Sequence, residues 1–252
     1  MLIASVADAQ SVPPLTSNRP GISDSEVLVP VRAIQLEAGV QAQGEPRDSD
    51  VRSTDTFGEL TLRIGVRPRI ELFVGWDGLS LDRVRVNGQS RFVAGGNDLL
   101  VGTKLAVLSE ERHGLTLAVA PAWSFPVGSE DETSGSNDPS LRLLWARSLT
   151  AKWSLSGNVL LTRTSDAEGR YVDTGVMAGL TRAFTDTFSA FGEVSGVLVA
   201  AHPDAWTLDG GVAWIARPDL QWDISAGHAF ADRGDEWFLS AGVTVRHRAR
   251  AN

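Results

Sequence analysis

Residues 58–78 decide the fold of this chain, and they read GELTLRIGVRPRIELFVGWDG. Apolar side chains occupy every second position before Pro68, at Leu60, Leu62 and Ile64, and the same period resumes after it. A period of two is typical of a β-strand whose two faces meet different surroundings. Pro68 cannot donate a hydrogen bond within a sheet, so it marks the turn between two strands. The stretch therefore predicts a β-hairpin with one apolar and one polar face.

The same alternation recurs along almost the whole chain. It predicts twelve strands of about 9–13 residues, and helical periodicity does not compete with it anywhere. The alternating residues that mark the strands lie at 32–43, 58–67, 69–78, 100–108, 115–124, 141–145, 153–162, 171–183, 188–198, 206–214, 220–226 and 237–246. Strands of this length, tilted by about 45°, span the core of a bilayer.

The predicted connections alternate between two lengths. Short turns are expected at residues 67–69, 109–114, 148–152, 184–187 and 217–219, and long polar loops at 44–57, 79–98 and 125–139. Short turns at one end and longer loops at the other are typical of outer-membrane barrels, with the short turns in the periplasm. An even number of strands then places both termini in the periplasm.

The eight tryptophans separate a membrane barrel from a soluble β-sandwich, in which large aromatics would lie in mid-strand. All eight share the parity of the apolar face and lie near strand ends. Trp145, Trp153, Trp214 and Trp222 flank short turns, whereas Trp76, Trp123, Trp206 and Trp237 lie near the long loops. Indole side chains favour the headgroup level of a membrane. The sequence therefore predicts an all-β, antiparallel transmembrane β-barrel of the outer-membrane type, with two membrane-interface girdles.

Composition excludes several classes of protein. The chain has no cysteine, and its net charge of −8 offers no basic surface for nucleic acid. It contains no apolar run of about 18 residues, which a transmembrane helix requires. We expect no cofactor and no metal. The expected partners are outer-membrane lipid, lipopolysaccharide, the barrel-assembly machinery and a small-molecule solute, and we expect a monomer.

The ends of the chain differ from the barrel domain, which is expected at residues 31–247. Ala7-Asp8-Ala9 has the small-x-small spacing of a signal-peptidase site, so residues 1–9 are interpreted as the remnant of a signal peptide. The alternative is an ordinary flexible N-terminus. Residues 10–30 are rich in Pro and Ser and are expected in the periplasm or folded into the lumen. Residues 248–252 form a tail.

If the apolar face meets lipid, the polar face lines the lumen. The charged residues predicted to line it are Glu37, Glu59, Arg63, Arg67, Glu71, Asp77, Lys104, Arg142, Glu193, Asp209, Asp223 and Arg246. Buried charges must be paired or hydrated. Two interpretations remain open, an ion-paired plug in which the charges satisfy one another and a hydrated channel whose charges select the solute.

An enzyme is not expected. The four histidines are scattered. The outer-membrane phospholipase pattern has an outward His and Ser two positions apart on one strand, but the residues two positions from His228 are Ala226 and Phe230. The acidic stretch 128–138 does not have the spacing of an EF-hand. Neither feature predicts a catalytic or metal-binding site.

The chain resembles the outer-membrane transporter family named for the meta pathway of phenol degradation. The likeness begins at Asn18-Arg19-Pro20-Gly21, close to that family's Asp-Arg-Pro-Gly opening. It continues in residues 34–39, 59–78, 97–108 (NDLLVGTKLAVL) and 207–227 (TLDGGVAWIARPDLQWDISAG), so that it covers most of residues 18–246. One departure is His247, which stands where outer-membrane strands usually end in an aromatic residue. The resemblance implies a barrel that admits hydrophobic or aromatic compounds.

These observations lead to two main functional hypotheses. The first is an outer-membrane channel or transporter for the passive uptake of small, hydrophobic or aromatic molecules. The second is a closed structural barrel that presents loops 79–98 and 125–139 at the cell surface. An outer-membrane enzyme is the third and least favoured.

Overall fold

The computed structural model describes residues 14–47, 50–86, 89–166, 169–199, 205–230 and 236–248. The strands are β1 (Ala33–Arg47), β2 (Asp50–Arg67), β3 (Ile70–Trp76), β4 (Leu79–Val86), β5 (Gln89–Gly96), β6 (Leu99–Leu108), β7 (Thr116–Phe125), β8 (Asp138–Ser148), β9 (Trp153–Asp166), β10 (Gly169–Ala183), β11 (Phe188–Val199), β12 (Ala205–Arg217), β13 (Leu220–Phe230) and β14 (Glu236–Arg248). A one-turn helix, α1 (Glu110–His113), occupies a turn that was predicted without helix. None of the helices in the described ranges has the length and apolar content needed to cross a membrane.

The fourteen segments form a closed, antiparallel barrel of twelve strands, which confirms the predicted fold class. Closure follows from the pairing of β1 with both β14 and β2. β3 and β4 are two parts of one barrel strand, because both pair with β2, Trp76 with Leu60 and Leu79 with Phe57. β5 and β6 form a second interrupted strand, since they pair with β4 and β3 in turn.

Glycines allow the interruption between β3 and β4, which lies at the end of the barrel opposite the short turns. Gly58 and Gly78 have φ angles of 71° and 83°, in the left-handed region that other residues rarely adopt. A Cβ atom at Gly78 would also lie 2.3 Å from the carbonyl oxygen of Phe57. The chain therefore bends here without losing the pairing of its strands.

The alternation sorts the residues as predicted, with polar side chains inside and apolar side chains outside. Glu37 is 2% exposed while its neighbour Leu36 is 43% exposed, and the same contrast recurs around the barrel. A small apolar cluster of Ala118, Ala120 and Leu144 also faces inward, where Leu28 and Phe73 pack on it. The interior is thus a mixed, largely polar core.

The predicted loops at 44–57 and 79–98 are wrong. β1, β2, β4 and β5 continue as paired strands through the described parts of both stretches, and of the three long loops predicted, 126–137 is the one without strand. These strand extensions carry polar residues on both faces, so the apolar period of two disappears although the backbone stays extended. All five short turns lie where they were predicted. Arg248, assigned to the tail, pairs with Ala33 in the barrel.

Candidate functional site in the barrel lumen

Residues 14–30 run through the interior of the barrel. The segment starts at the end that carries the short turns, where Arg246 Nη1 donates to the carbonyl oxygen of Pro14 at 3.0 Å. It returns to the same end, where Ala33 N donates to Pro30 O at 3.0 Å and Arg32 N donates to Gly65 O at 2.9 Å. Between these points its hydrogen bonds reach inward side chains on strands from all around the barrel. Residues 1–9, interpreted as a signal-peptide remnant, lie outside the described residues.

Arg19 fastens the segment to one wall. Its guanidinium donates to Glu59 at 2.7 Å, to Asp223 at 3.2 Å and to Ser240 Oγ at 2.6 Å. The neighbouring positions Gly39 and Gly242, paired across β1 and β14, leave the space that the guanidinium fills, since a Cβ at either would lie within 2.3 Å of it. One arginine therefore joins the segment to β2, β13 and β14.

A second cluster is centred on Arg63. Its side chain is completely buried and donates to Glu37 at 2.8 Å and to Glu71 at 2.8 Å. The same guanidinium donates to the carbonyl oxygen of Val27 at 2.7 Å, and Val29 N donates to Glu71 at 2.6 Å. Because both carboxylates and the arginine are satisfied, this buried network avoids the large cost of an isolated charge.

The opposite wall binds the middle of the segment. Ser23 N donates to Glu193 at 2.9 Å, and the Ser23 hydroxyl donates to the same carboxylate. Arg142 forms an ion pair with Asp24, whose backbone N–H donates to Asn158 at 2.8 Å. On the adjoining wall, Lys104 Nζ donates to the carbonyl oxygen of Ser25 at 2.6 Å.

The predicted lumen residues fall into three groups. Those that contact the segment directly are Glu37, Glu59, Arg63, Glu71, Lys104, Arg142, Glu193, Asp223 and Arg246. Asp209 is buried in the wall beside Glu193, and Asp77 is exposed at the interruption between β3 and β4. Arg67 departs from the expectation, because the register shift between Gly65 and Arg67 ends the alternation and leaves Arg67 exposed at the turn.

The segment divides the lumen into two cavities. The outer cavity, of about 620 Å³, lies toward the end of the barrel opposite the short turns and is bounded by Gln41, Thr61 and Phe238. The inner cavity, of about 390 Å³, opens among the short turns and is bounded by Ala183 and Ile215. Residues 18–21 line both cavities, so this part of the segment separates them.

The tryptophans lie on the outward face. Trp123, Trp214, Trp222 and Trp237 are about half exposed, and Trp76, Trp145, Trp153 and Trp206 are partly covered. Three of them stand directly opposite glycines of the neighbouring strand, Trp145 at Gly157, Trp206 at Gly196 and Trp237 at Gly44, and each ring covers its glycine. Such pairs protect the backbone of the sheet. Their membrane-interface role stays a prediction.

The residues by which the segment binds the barrel wall were not predicted from the sequence, where residues 10–30 were assigned only as a whole. Arg19 and Asp24 supply the charges that meet the barrel wall. The motif Asn18-Arg19-Pro20-Gly21 was the available signal, since it stands out from the Ser-rich stretch around it. Nothing in one sequence shows that Gly39 and Gly242 form the slot for Arg19.

Comparison with known proteins agrees with this architecture. The family model described as "Putative MetA-pathway of phenol degradation" matches residues 17–247. The chain belongs to this family. The matched range begins within the lumenal segment and ends in β14, so the family includes both the segment and the barrel. Among curated proteins, no sequence matches the chain significantly.

Solved structures share the fold at low sequence identity. The COG4313 outer membrane channel from Pseudomonas putida F1 is 14% identical, with a TM-score of 0.68, over 91% of this chain and 99% of that one. The transport unit of the autotransporter AIDA-I from Escherichia coli is 7% identical, with a TM-score of 0.58, over 87% and 91%. The NanC porin is 11% identical, with a TM-score of 0.53, over 82% and 98%. At these identities the likeness concerns the fold.

Proposed function

We propose that the protein is an outer-membrane channel for the passive uptake of small molecules, hydrophobic or aromatic compounds among them. The observation that carries the proposal is the lumen, in which cavities of about 620 Å³ and 390 Å³ lie on either side of residues 18–21. Cavities of this size accept a small organic molecule. In this proposal the short turns and both termini of the barrel face the periplasm, so a solute enters the barrel through the outer cavity.

The family description and the residues that line the outer cavity support this proposal. The description of the family names phenol degradation, which favours an aromatic solute. Ile22 and Phe238 add apolar contacts to an outer cavity that is otherwise polar. A few polar groups within a partly apolar pocket orient a ligand while allowing it to leave.

The first experiment measures transport by the full-length protein. We expect reconstituted liposomes to take up small solutes faster than empty liposomes, and planar bilayers to show discrete single-channel steps. The steps should be small, because residues 18–21 stand between the two cavities.

Variants of the segment give the sharper test. Deletion of residues 10–30 removes the barrier, so conductance should rise several-fold above that of the full chain. Arg19→Ala removes only the contacts to Glu59, Asp223 and Ser240 and should give an intermediate increase. A deletion variant that inserts as a folded barrel and passes neither ions nor solutes would end the channel proposal.

A closed structural barrel is the second candidate. The ion pairs of Arg19, Arg63 and Arg142 favour it, because they fasten the segment and the wall at several points of the lumen. This candidate predicts no flux through the full-length protein under any condition. It also predicts that deletion of residues 79–96 or 126–137 abolishes a cell-surface phenotype such as adhesion.

A further inference from the structure

The outer cavity has an excess of negative charge. Among the described residues, its lining contains five carboxylates and a single guanidinium, that of Arg19. The carboxylates belong to Asp24, Glu37, Glu59, Asp77 and Glu236. Acidic side chains around a confined aqueous space raise the local concentration of cations and repel anions.

The inner cavity has the same sign. Within the described ranges, Asp24, Glu26, Glu110, Asp186 and Glu193 line it, against the guanidinium groups of Arg19 and Arg147. A solute that crosses the lumen therefore passes from one acidic cavity into another. Among the described residues that line the two cavities, the basic groups are Arg19 and Arg147, and Arg19 is already paired with Glu59 and Asp223.

Ion pairing reduces this excess of negative charge but does not remove it. Arg19 is shared between Glu59 and Asp223, and Arg63 is shared between Glu37 and Glu71. Each of these arginines offsets one of its two carboxylates. Arg142 neutralises Asp24, which lines both cavities, so four of the five carboxylates in each lining remain.

Beside Gly21, the wall carries two adjacent carboxylates, of which Glu193 lines the inner cavity. Glu193 on β11 stands directly opposite Asp209 on β12, and the two residues are 3% and 5% exposed. Neither carboxylate oxygen of Asp209 has a hydrogen-bond partner among the described residues. The hydrogen bonds of the Glu193 carboxylate come from Ser23 and from the backbone of Ile22, which are neutral residues of the segment. A buried carboxylate without a partner is unfavourable, and the binding of either a proton or a cation removes that cost.

We propose that the lumen is cation-selective and that Glu193 and Asp209 bind the permeating cation beside Gly21, which lines both acidic cavities. The inference rests on the proposed channel function and names the charge of its solute. The class of solute is a small cation, of which an arylalkyl ammonium ion would also fit the apolar contacts of the outer cavity. Rings of Asp and Glu are the usual means by which pores select cations.

The test is the reversal potential of the full-length protein in planar bilayers with a tenfold gradient of KCl. We expect K⁺ to permeate about three times more readily than Cl⁻, or better, as in pores with acidic linings. A reversal potential of zero or of the opposite sign would overturn the proposal. If no conductance is found at all, the channel function fails and this inference fails with it. Conductance without cation preference rejects the inference alone.

Two substitutions locate the effect. Asp209→Asn removes the buried charge, and Asp77→Asn removes an exposed charge of the outer cavity with little risk to folding. Each should reduce the K⁺ to Cl⁻ permeability ratio by about half, since each removes one negatively charged carboxylate from the lumen. Asp131→Asn is the matched control, because Asp131 is exposed on residues 126–137 and lines neither cavity. An unchanged ratio in both lumen variants would contradict the proposal.

Discussion

Arg63 and Arg217 offer a direct comparison of a buried and an exposed ion pair. Arg63 is completely buried between Glu37 and Glu71, whereas Arg217 reaches Asp219 across 3.6 Å with 66% of its side chain exposed. Arg63→Met leaves two buried carboxylates without their cation and should cost about 3–5 kcal/mol of unfolding free energy. Arg217→Met should cost about 0.5 kcal/mol or less. Urea unfolding in lipid vesicles measures both, and equal losses would contradict a structural role for the Arg63 network.

At the scale of residues, parity predicted the inward direction of side chains but not their partners. Glu37, Arg63 and Glu71 follow from the period of two, because every second residue of a strand faces the same side. The contacts of Arg19 could not be predicted, since they join the segment to strands that lie 40 to about 220 positions away in sequence. Arg67 failed for a local reason, the irregular register at the end of β2.

The connection between β7 and β8 is held by the carboxylate of Asp98 and by two hydrogen bonds between Ser129 and Gly96. Asp98 accepts hydrogen bonds from Gly128 N at 3.0 Å and Ser134 N at 2.9 Å. Burial acts to raise the pKa of Asp98, but the hydrogen bonds from Ser134, Thr133 and Gly128 outweigh it and hold the pKa below its ordinary value of 3.8. A lowered folded-state pKa means that the contact stabilises the connection above pH 3.8 and is lost as the pH falls through the lower folded value.

We therefore expect this connection to stay docked from pH 8 to about pH 5 and to detach only in stronger acid. Asp98→Ala should loosen it at neutral pH, since only the hydrogen bonds between Ser129 and Gly96 remain, and should increase cleavage after Glu130 by a glutamate-specific protease several-fold. Asp186→Ala, an exposed change in a turn at the other end, serves as the control. Equal cleavage of the wild type and Asp98→Ala would show that the carboxylate does not hold the connection.

At the scale of elements, the sequence predicted the membrane-spanning part better than the rest. Strands that separate lipid from a polar lumen must alternate, so β9 and β13 could be recognised from their residues. The hairpin of β4 and β5 carries polar residues such as Ser80, Asp82 and Arg83 beside apolar ones, which weakens the period of two. Its strands are held by backbone pairing, Leu79 with Gly96 through Val86 with Gln89, which composition does not reveal.

At the scale of the whole molecule, strand number and closure fix which ends lie together. Ala33 pairs with Arg248, so the first and last strands meet at the end of the barrel that carries the short turns. The same end receives Pro14 through Arg246. An even-stranded barrel has this property whatever its loops contain, which is why the turn pattern predicted it from sequence. The direction in which the barrel inserts is a separate matter of turn and loop chemistry.

Single cysteines can test that direction, because the chain contains no cysteine of its own. Asp131→Cys places a thiol on the connection between β7 and β8, and Asp186→Cys places one in a short turn at the opposite end; both positions are exposed. With the short turns in the periplasm, a membrane-impermeant maleimide applied to intact cells should label residue 131 and leave residue 186 unlabelled. Residue 186 should react once the outer membrane is permeabilised, which proves that its thiol is accessible. The reverse labelling pattern would show that the barrel inserts in the opposite direction, with the outer cavity facing the periplasm.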